Sequence, residues 1–295
     1  MINYIAFEKN NTRKIIRPLT DDEINTIDQA GKMLSKIRYF DNLYILALFE
    51  WEELIELVKK YSEKTNEGIS YDIYEFYLRV NNKLGNYLSN ARKFIDQSEM
   101  KIYQEYGKET SVAELWDLKK RELYDGYLSY RFLYHLRHFT QHNGSLLLNQ
   151  FTKKIVPTQT GEDRLLEIRV LRNSLLDTSF NWNSKLKGEI EKLPENINIM
   201  KYIIEHKYCL KALYCKIIEI IAKEVSESFR EYTNLINSFY IDGNPCIFKF
   251  KNEESLRYEK NYKNNFNRLP LQEIYKYLEK MAETGAIKLN YYKGK

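Results

Sequence analysis

The sequence predicts a mainly α-helical protein with a small β insertion, and three observations predict it. Breakers are scarce: 295 residues hold 11 Gly and 5 Pro, so the chain has few places to turn and long helices follow. Apolar residues recur at three- and four-residue spacing over most of the length, which is the period of an amphipathic helix. Past Gly144 that period gives way to two-residue alternation and short apolar runs, the mark of strands.

Composition sets the outer bounds. A chain of this length builds one large domain or two smaller ones, with a core that needs no disulfide or metal. Hydrophobic residues at 43% and charged residues at 29% place it among globular proteins. Cys209, Cys215 and Cys246 are odd in number and form no C-x-x-C pair, so reduced, buried thiols are expected and no cofactor or metal is called for. MINYIAFEKNNTRK lacks the apolar core of a signal peptide, and the longest apolar run, Leu43 to Phe49, is too short to cross a bilayer. The expectation is a cytoplasmic protein with no membrane contact.

In order along the chain, the first 18 residues read as a short strand or extended arm ending at Pro18. Thr20 and Glu23 have the spacing of a capping box, opening a helix over about 21–38. FDNLYILALFEWEELIELVKKYSEK reads as a second helix, acidic early and basic late, broken near Asn66-Glu67-Gly68. A third stretch runs from Ile69 to about Tyr106, with an interruption at Gly85 and Gly107 as its end. Ser111 and Glu114 form another capping box, and helix is expected from there to Gln141 or His142, closed by a left-handed cap at Asn143-Gly144. Such a helix would be about 48 Å long.

SLLLNQF, TKKIV and LLEIRVLRNSLL, with a Thr- and Gly-rich turn over Pro157 to Asp163, predict two or three strands. Helical period resumes near Ser184 and is strongest from Asn196 to Tyr240. A β-like CIFKFK, a charged loop, a helix near 270–284 and a final strand IKLNYY close the chain. The organisation expected is an N-terminal helical region at 1–109, a core at 110–240 and a basic C-terminal segment at 241–295, or all of these as one domain. From Lys251 onward ten Lys and Arg face six Asp and Glu, so that segment carries +4 of the chain's net +5, a charge suited to solvent or to phosphate backbones.

Chemistry-bearing residues concentrate in YRFLYHLRHFTQHNG. Three of the four histidines, His135, His138 and His142, lie there, within about 60° of one another on a helix, with Arg131 in the same sector and Tyr134 and Gln141 at the border. Arg137 starts about 140° from His142, and its long stem lets the guanidinium reach round. Imidazoles and guanidinia make a poor apolar core face, so something polar should meet them. Histidine exchanges protons near neutrality and arginine offers a charged fork for phosphate, a pairing suited to phosphodiester cleavage.

Arg137-His-Phe-Thr-Gln-His142 has the R-x4-6-H form of the HEPN superfamily, whose helices likewise end at this motif, and the chain resembles that superfamily from roughly Thr110 to Ile221. A second match to the pattern runs from Arg131 to His138. LLEIRVLRNSLL, the Asn181-Trp182-Asn183 turn and KLPENINIMKYIIEHKYCL are similar to bacterial HEPN-like proteins in which a strand pair and a turn lead to a further long helix. The resemblance implies a long-helix bundle acting as a metal-independent endoribonuclease. In it RNA is cut by 2′-OH attack to leave a 2′,3′-cyclic phosphate and a 5′-OH. Two units would pair as a homodimer, of the kind found in toxin–antitoxin, abortive-infection and antiviral systems, where an antitoxin or other regulatory partner is usual. By the same resemblance Arg137 is the phosphate clamp, His142 the general base or acid and His138 the polar residue after the Arg. Around these catalytic candidates, Arg131, Tyr134, His135, Gln141 and Asn143 are the candidate substrate-binding residues.

Other readings stand beside this one. The second reading is a polar seam between helices or a dimer contact with no chemistry, in a catalytically inactive RNA- or protein-binding module. A metal site is disfavoured, because no Asp or Glu lies between Asp125 and Glu162. His206, amid Ile203, Ile204 and Tyr208, reads as a satisfied surface or core histidine. Tyr71, Tyr74 and Tyr77 suit helix packing at least as well as base stacking.

Overall fold

The computed structural model describes residues 1–10, 12–143, 148–158, 161–240, 243–251 and 266–288, with the backbone alone at 143, 148–158 and 161–165. In chain order the elements are β1 (Ile2–Lys9), β2 (Thr12–Pro18), α1 (Asp21–Asn66), α2 (Ile73–Tyr106), α3 (Ser111–Gly126), α4 (Leu128–Asn143), β3 (Leu148–Thr158), β4 (Gly161–Leu171), α5 (Arg172–Leu176), α6 (Ser184–Glu191), β5 (Asn196–Asn198), α7 (Ile199–Ser238), β6 (Asn244–Phe250), β7 (Phe266–Arg268) and α8 (Leu271–Glu283). The fold is mainly α, as the sequence predicts. Contacts divide it into two compact units, Met1–Tyr39 with Ile217–Lys295, and Phe40–Lys216. The first unit draws on residues from both sides of the second because β1 pairs with β6.

The first unit is built on a four-stranded antiparallel sheet in the order β2-β1-β6-β7. The N-terminal stretch is therefore a hairpin rather than a single arm. Asn10, at φ 49°, supplies left-handed backbone beside its turn, a conformation Asn tolerates. Alternation along the strands sorts the two faces. Tyr4, Ala6, Cys246, Phe248 and Phe250 form an aromatic cluster on one side, with Ile2, Ile15 and Phe266 packed against it. Asn3, Ile5, Ile247 and Lys249 belong to the other side.

In the second unit the core is made by the α1 residues from Phe40 onward, α2, α3, α4 and the first half of α7, with β3, β4 and β5 as a separate antiparallel sheet. The expected β insertion after the motif helix is this β3–β4 hairpin, and TKKIV is part of β3, not a strand of its own. The tail of LLEIRVLRNSLL is helical instead, forming α5, and Asn196–Asn198 is strand rather than the start of a helix.

Several helix boundaries differ from expectation for local reasons. The capping box holds: Thr20 N–H donates to Glu23 Oε2 at 2.9 Å, and Glu23 N–H to Thr20 Oγ1 at 3.3 Å. Yet α1 then runs 46 residues without the break expected near residue 39. Asp41, which resembles a fresh helix start, is buried and accepts a 2.6 Å hydrogen bond from Tyr214 Oη. α2 begins at Ile73, because Asp72 accepts from Tyr74 N–H and Glu75 N–H, and it passes Gly85 uninterrupted. It ends as predicted at Gly107, whose φ of 87° is the left-handed region glycine favours. The cap of α3 is Thr110, one residue before the Ser111-Glu114 box, with its Oγ1 accepting from Ala113 N–H at 3.3 Å.

The largest correction concerns the motif helix. It is not one rod from Ser111 to His142 but two helices of 16 residues, with Tyr127 in extended conformation between them. Arg131 explains the corner. Its guanidinium donates to the carbonyls of Tyr124 and, at 2.9 Å, Asp125, taking acceptors that a continuing helix would have used. Its other nitrogens grip Glu189 as a fork, Nε to Oε2 at 3.1 Å and Nη2 to Oε1 at 2.5 Å. At the chain's end, Ile287 and Lys288 are not strand, while the rest of IKLNYY, the charged loop before Phe266 and the Gly144 cap lie outside the described residues.

The Arg131 side chain is only 5% exposed, so removing Glu189 would strand a buried cation at the corner. Glu189→Ala is expected to cost about 3 kcal/mol. A urea titration of wild type and variant checks this, and an unchanged midpoint would mean that the pair does not hold the corner.

Candidate functional site

α4 buries one face and presents another. Phe132, Leu136 and Phe139, spaced by four and three, are buried. Phe139 stacks on Trp182 with ring centroids 5.3 Å apart and meets Phe180 edge-on at 5.5 Å. Trp182 is anchored in turn, its Nε1–H donating to Leu175 O at 2.9 Å. The Asn181-Trp182-Asn183 turn thus props the last turns of the motif helix. Asn183 itself caps α6, accepting from Lys185 N–H at 3.0 Å.

The predicted site residues do not share one fate. Arg131 is buried and fully engaged at the α3–α4 corner, so its position is structural. His135 is half-buried and shares a 3.1 Å hydrogen bond between Nε2 and Tyr124 Oη. Tyr134 lies under the guanidinium of Arg92 from α2, which sits 3.7 Å from the ring centroid. Arg92 Nε also donates to Asp96 Oδ2 at 2.6 Å. His138 and Arg137 are half-buried, and Gln141 and His142 are exposed. Asn143 closes α4, with its side chain outside the described residues.

The electrostatics favour neutral imidazoles. Burial holds the pKa of His138 below its usual 6.5, helped by the charges of Arg92, Arg137 and His142 and opposed by Asp96. Burial likewise lowers His135, with His138 and Arg92 adding to it. His138 is thus within electrostatic reach of both ends of the R-x4-6-H motif. Arg137 contributes one further feature: its Nε is buried and has no hydrogen-bond partner, an unspent donor on a charged group. Arg92 Nη1 is in the same condition.

Beside this face α2, α3 and α4 enclose a groove. One pocket of about 470 Å³ is lined by Tyr124, Tyr130, Tyr134, His135, Asp96 and Lys120. A second, of about 650 Å³, shares Asp96, Lys120 and Tyr134 and adds Arg92 and Tyr103. The charges along the two pockets are mutually paired, Lys120 with Glu99 and with Asp117 at 3.0 Å, and Tyr103 Oη donates to Asp117 at 2.8 Å. Among the described residues, no group of three or more His, Cys, Asp or Glu could hold a metal ion.

Arg92, Asp96, Tyr124 and Lys120 are absent from the sequence prediction. The only signal for Arg92 is its position beside the buried stripe Leu84, Leu88, Ala91, Ile95, Ser98. That marks it as flanking a core, but not which helix it would meet. His206 is a core residue: it is buried and shares a 2.7 Å hydrogen bond between Nδ1 and Tyr87 Oη, while Nε2 has no partner. Tyr71 is packed edge-on against Tyr61 and Phe76 and bonded to Thr65 Oγ1 at 3.0 Å, whereas Tyr74 is exposed.

No protein-family model, curated protein or solved structure matches this chain. No helix among the described residues is long and apolar enough to cross a membrane.

Burial alone pulls His206 down to about 3 from its usual 6.5. Between these values the unfolded chain binds the extra proton, so acid favours unfolding: this contribution is intact above pH 6.5 and is lost as the pH falls below it. A drop from pH 6.5 to 5 is expected to cost about 2 kcal/mol through this residue. Urea midpoints across that range measure the slope, and His206→Gln should flatten it; an equal slope in the variant would assign the loss elsewhere.

Proposed function

We propose that this protein is a metal-independent endoribonuclease of HEPN type, cutting RNA at the C-terminal end of α4. The observation that carries the reading is the grouping of Arg137, His138 and His142 there. The charges of Arg137 and His142 both reach His138, burial holds His138 below its usual pKa, and His142 is exposed. A mainly helical fold with a strand pair after the motif helix is consistent with the resemblance.

In this reading Arg137 binds the scissile phosphate and offsets the charge that builds on its oxygens during attack. A neutral imidazole takes the proton of the ribose 2′-OH as O2′ bonds to phosphorus. The bond from phosphorus to O5′ breaks, and a protonated imidazole supplies the proton that O5′ needs. The products are a 2′,3′-cyclic phosphate and a 5′-OH. His138, with its depressed pKa, suits the first role, and His142, open to solvent, suits the second. Two such sites facing each other in a homodimer, in a cytoplasmic toxin or phage-defence effector held by a regulatory partner, is the setting that the resemblance implies. The alternative is a catalytically inactive RNA- or protein-binding module, favoured by the burial of Arg137 Nε out of reach of a ligand.

Wild-type protein should cleave single-stranded RNA in EDTA and leave cyclic phosphate ends. Arg137→Ala and His142→Ala should each slow cleavage by about 10²- to 10⁴-fold. Cutting that survives either change, or that needs a divalent metal, sinks the nuclease reading; RNA binding without cutting selects the module. The acid limb of the rate profile should lie below pH 6.5, because His138 keeps its basic form as the pH falls, and His138→Gln should abolish that limb.

A further inference from the structure

The first unit contains a cavity of about 290 Å³ on the side of its sheet opposite the aromatic cluster. Strand register assembles its floor: Asn3 lies opposite Lys249, and Ile247 lies between Ile5 and Asn267. Ile24, Ile27 and Gly31 of α1, Tyr232 of α7 and Ile274 of α8 complete the lining. Every residue of this cavity belongs to the first unit, and none belongs to the α4 face.

Two of the lining residues carry a polar atom that has nothing to bond. Asn3 Oδ1 and Tyr232 Oη are both buried without a partner. Leaving a buried polar group unsatisfied is costly, and native proteins keep few such groups. Packing does not require them, since Phe in place of Tyr232 would fill the same space. Burial raises the Tyr232 pKa, so its hydroxyl remains a neutral donor. The remaining wall is largely apolar, and the charged members, Asp28 and Lys249, are exposed at the rim.

We propose that this cavity is a binding site for a nucleoside, free or as its 5′-monophosphate. Apolar walls with uncharged hydrogen-bonding groups suit a flat heterocycle rather than a charged metabolite, whose ionic groups would lie against isoleucine. An Asn amide presents an acceptor and a donor side by side, the complement of a base edge. A rim carboxylate suits ribose hydroxyls, as Asp28 is placed to do, and Lys249 is the group for a phosphate. At about 290 Å³ the space is at the small end of ligand pockets, which excludes a dinucleotide.

The test is calorimetric titration of the full chain with adenosine, guanosine, cytidine, uridine and their 5′-monophosphates. At least one nucleoside should bind, and Tyr232→Phe should weaken it about tenfold while leaving the unliganded melting temperature unchanged or higher. Gly31→Phe should abolish binding by filling the cavity, since an added Cβ there meets nothing within 4 Å. Lys249→Ala should weaken a monophosphate and not its nucleoside. The proposal is overturned if none of these compounds binds at millimolar concentration, or if Tyr232→Phe binds as well as wild type. Should Gly31→Phe melt early, Tyr232→Phe decides alone. RNA cleavage is read separately, so loss of one reading leaves the other standing.

Discussion

The buried fork between Arg131 and Glu189 is the interaction on which the candidate site depends. Burying a guanidinium with its donors empty is costly, and here two carbonyls at the end of α3 and one carboxylate satisfy that of Arg131. Satisfying it ends α3 at Gly126 and lets α4 start in a new direction. With that turn made, Phe132, Leu136 and Phe139 enter the core and Tyr134, His135 and His138 are set against Arg92 and Asp96. A straight rod would have carried those residues away from α2. The arginine that looks in sequence like part of the chemistry thus acts one step earlier, by directing the helix that carries it.

Positive groups then surround a histidine that burial keeps neutral. Arg92, Arg137 and His142 push the His138 proton away, and Asp96 is the counterweight. Arg92 is held by a carboxylate on one edge and an aromatic face below, an arrangement that fixes a planar cation without exhausting its donors. Burial and these charges together keep the imidazole in the form that accepts a proton.

Local chemistry was legible in the sequence wherever a cap or turn is decided by its own neighbours. Thr20 with Glu23, Gly107 and the end of α1 at Asn66 fall in this class. The run of scarce breakers gave the helical class, and alternation after Gly144 gave the β3–β4 hairpin. What could not be read was decided by partners far along the chain. Asp41 looks like a helix start until Tyr214 is known to claim it, and Gly126-Tyr127 look harmless until Arg131 reaches back. The N-terminal arm and CIFKFK each read as lone β segments, since nothing local says that they pair. In the site, the clustering of histidines was plain, but half of their surroundings come from α2 and α3. Arg92 carries no motif, only a place beside an apolar stripe.

The pairing of β1 with β6 also sets an order of events during synthesis. Ile2 finds its partner in Phe250 and Glu8 in Asn244, so the sheet of the first unit closes only when nearly the whole chain has left the ribosome. Everything in Phe40–Lys216 is contiguous and is available much sooner. At about 5–20 residues per second, the β1–β2 hairpin waits on the order of ten seconds or more with the β1 edge still unpaired. Lys9, Arg13, Lys14 and Arg17 are spread along that hairpin, and like-charge repulsion between nascent copies is a defence against edge-to-edge association during the delay.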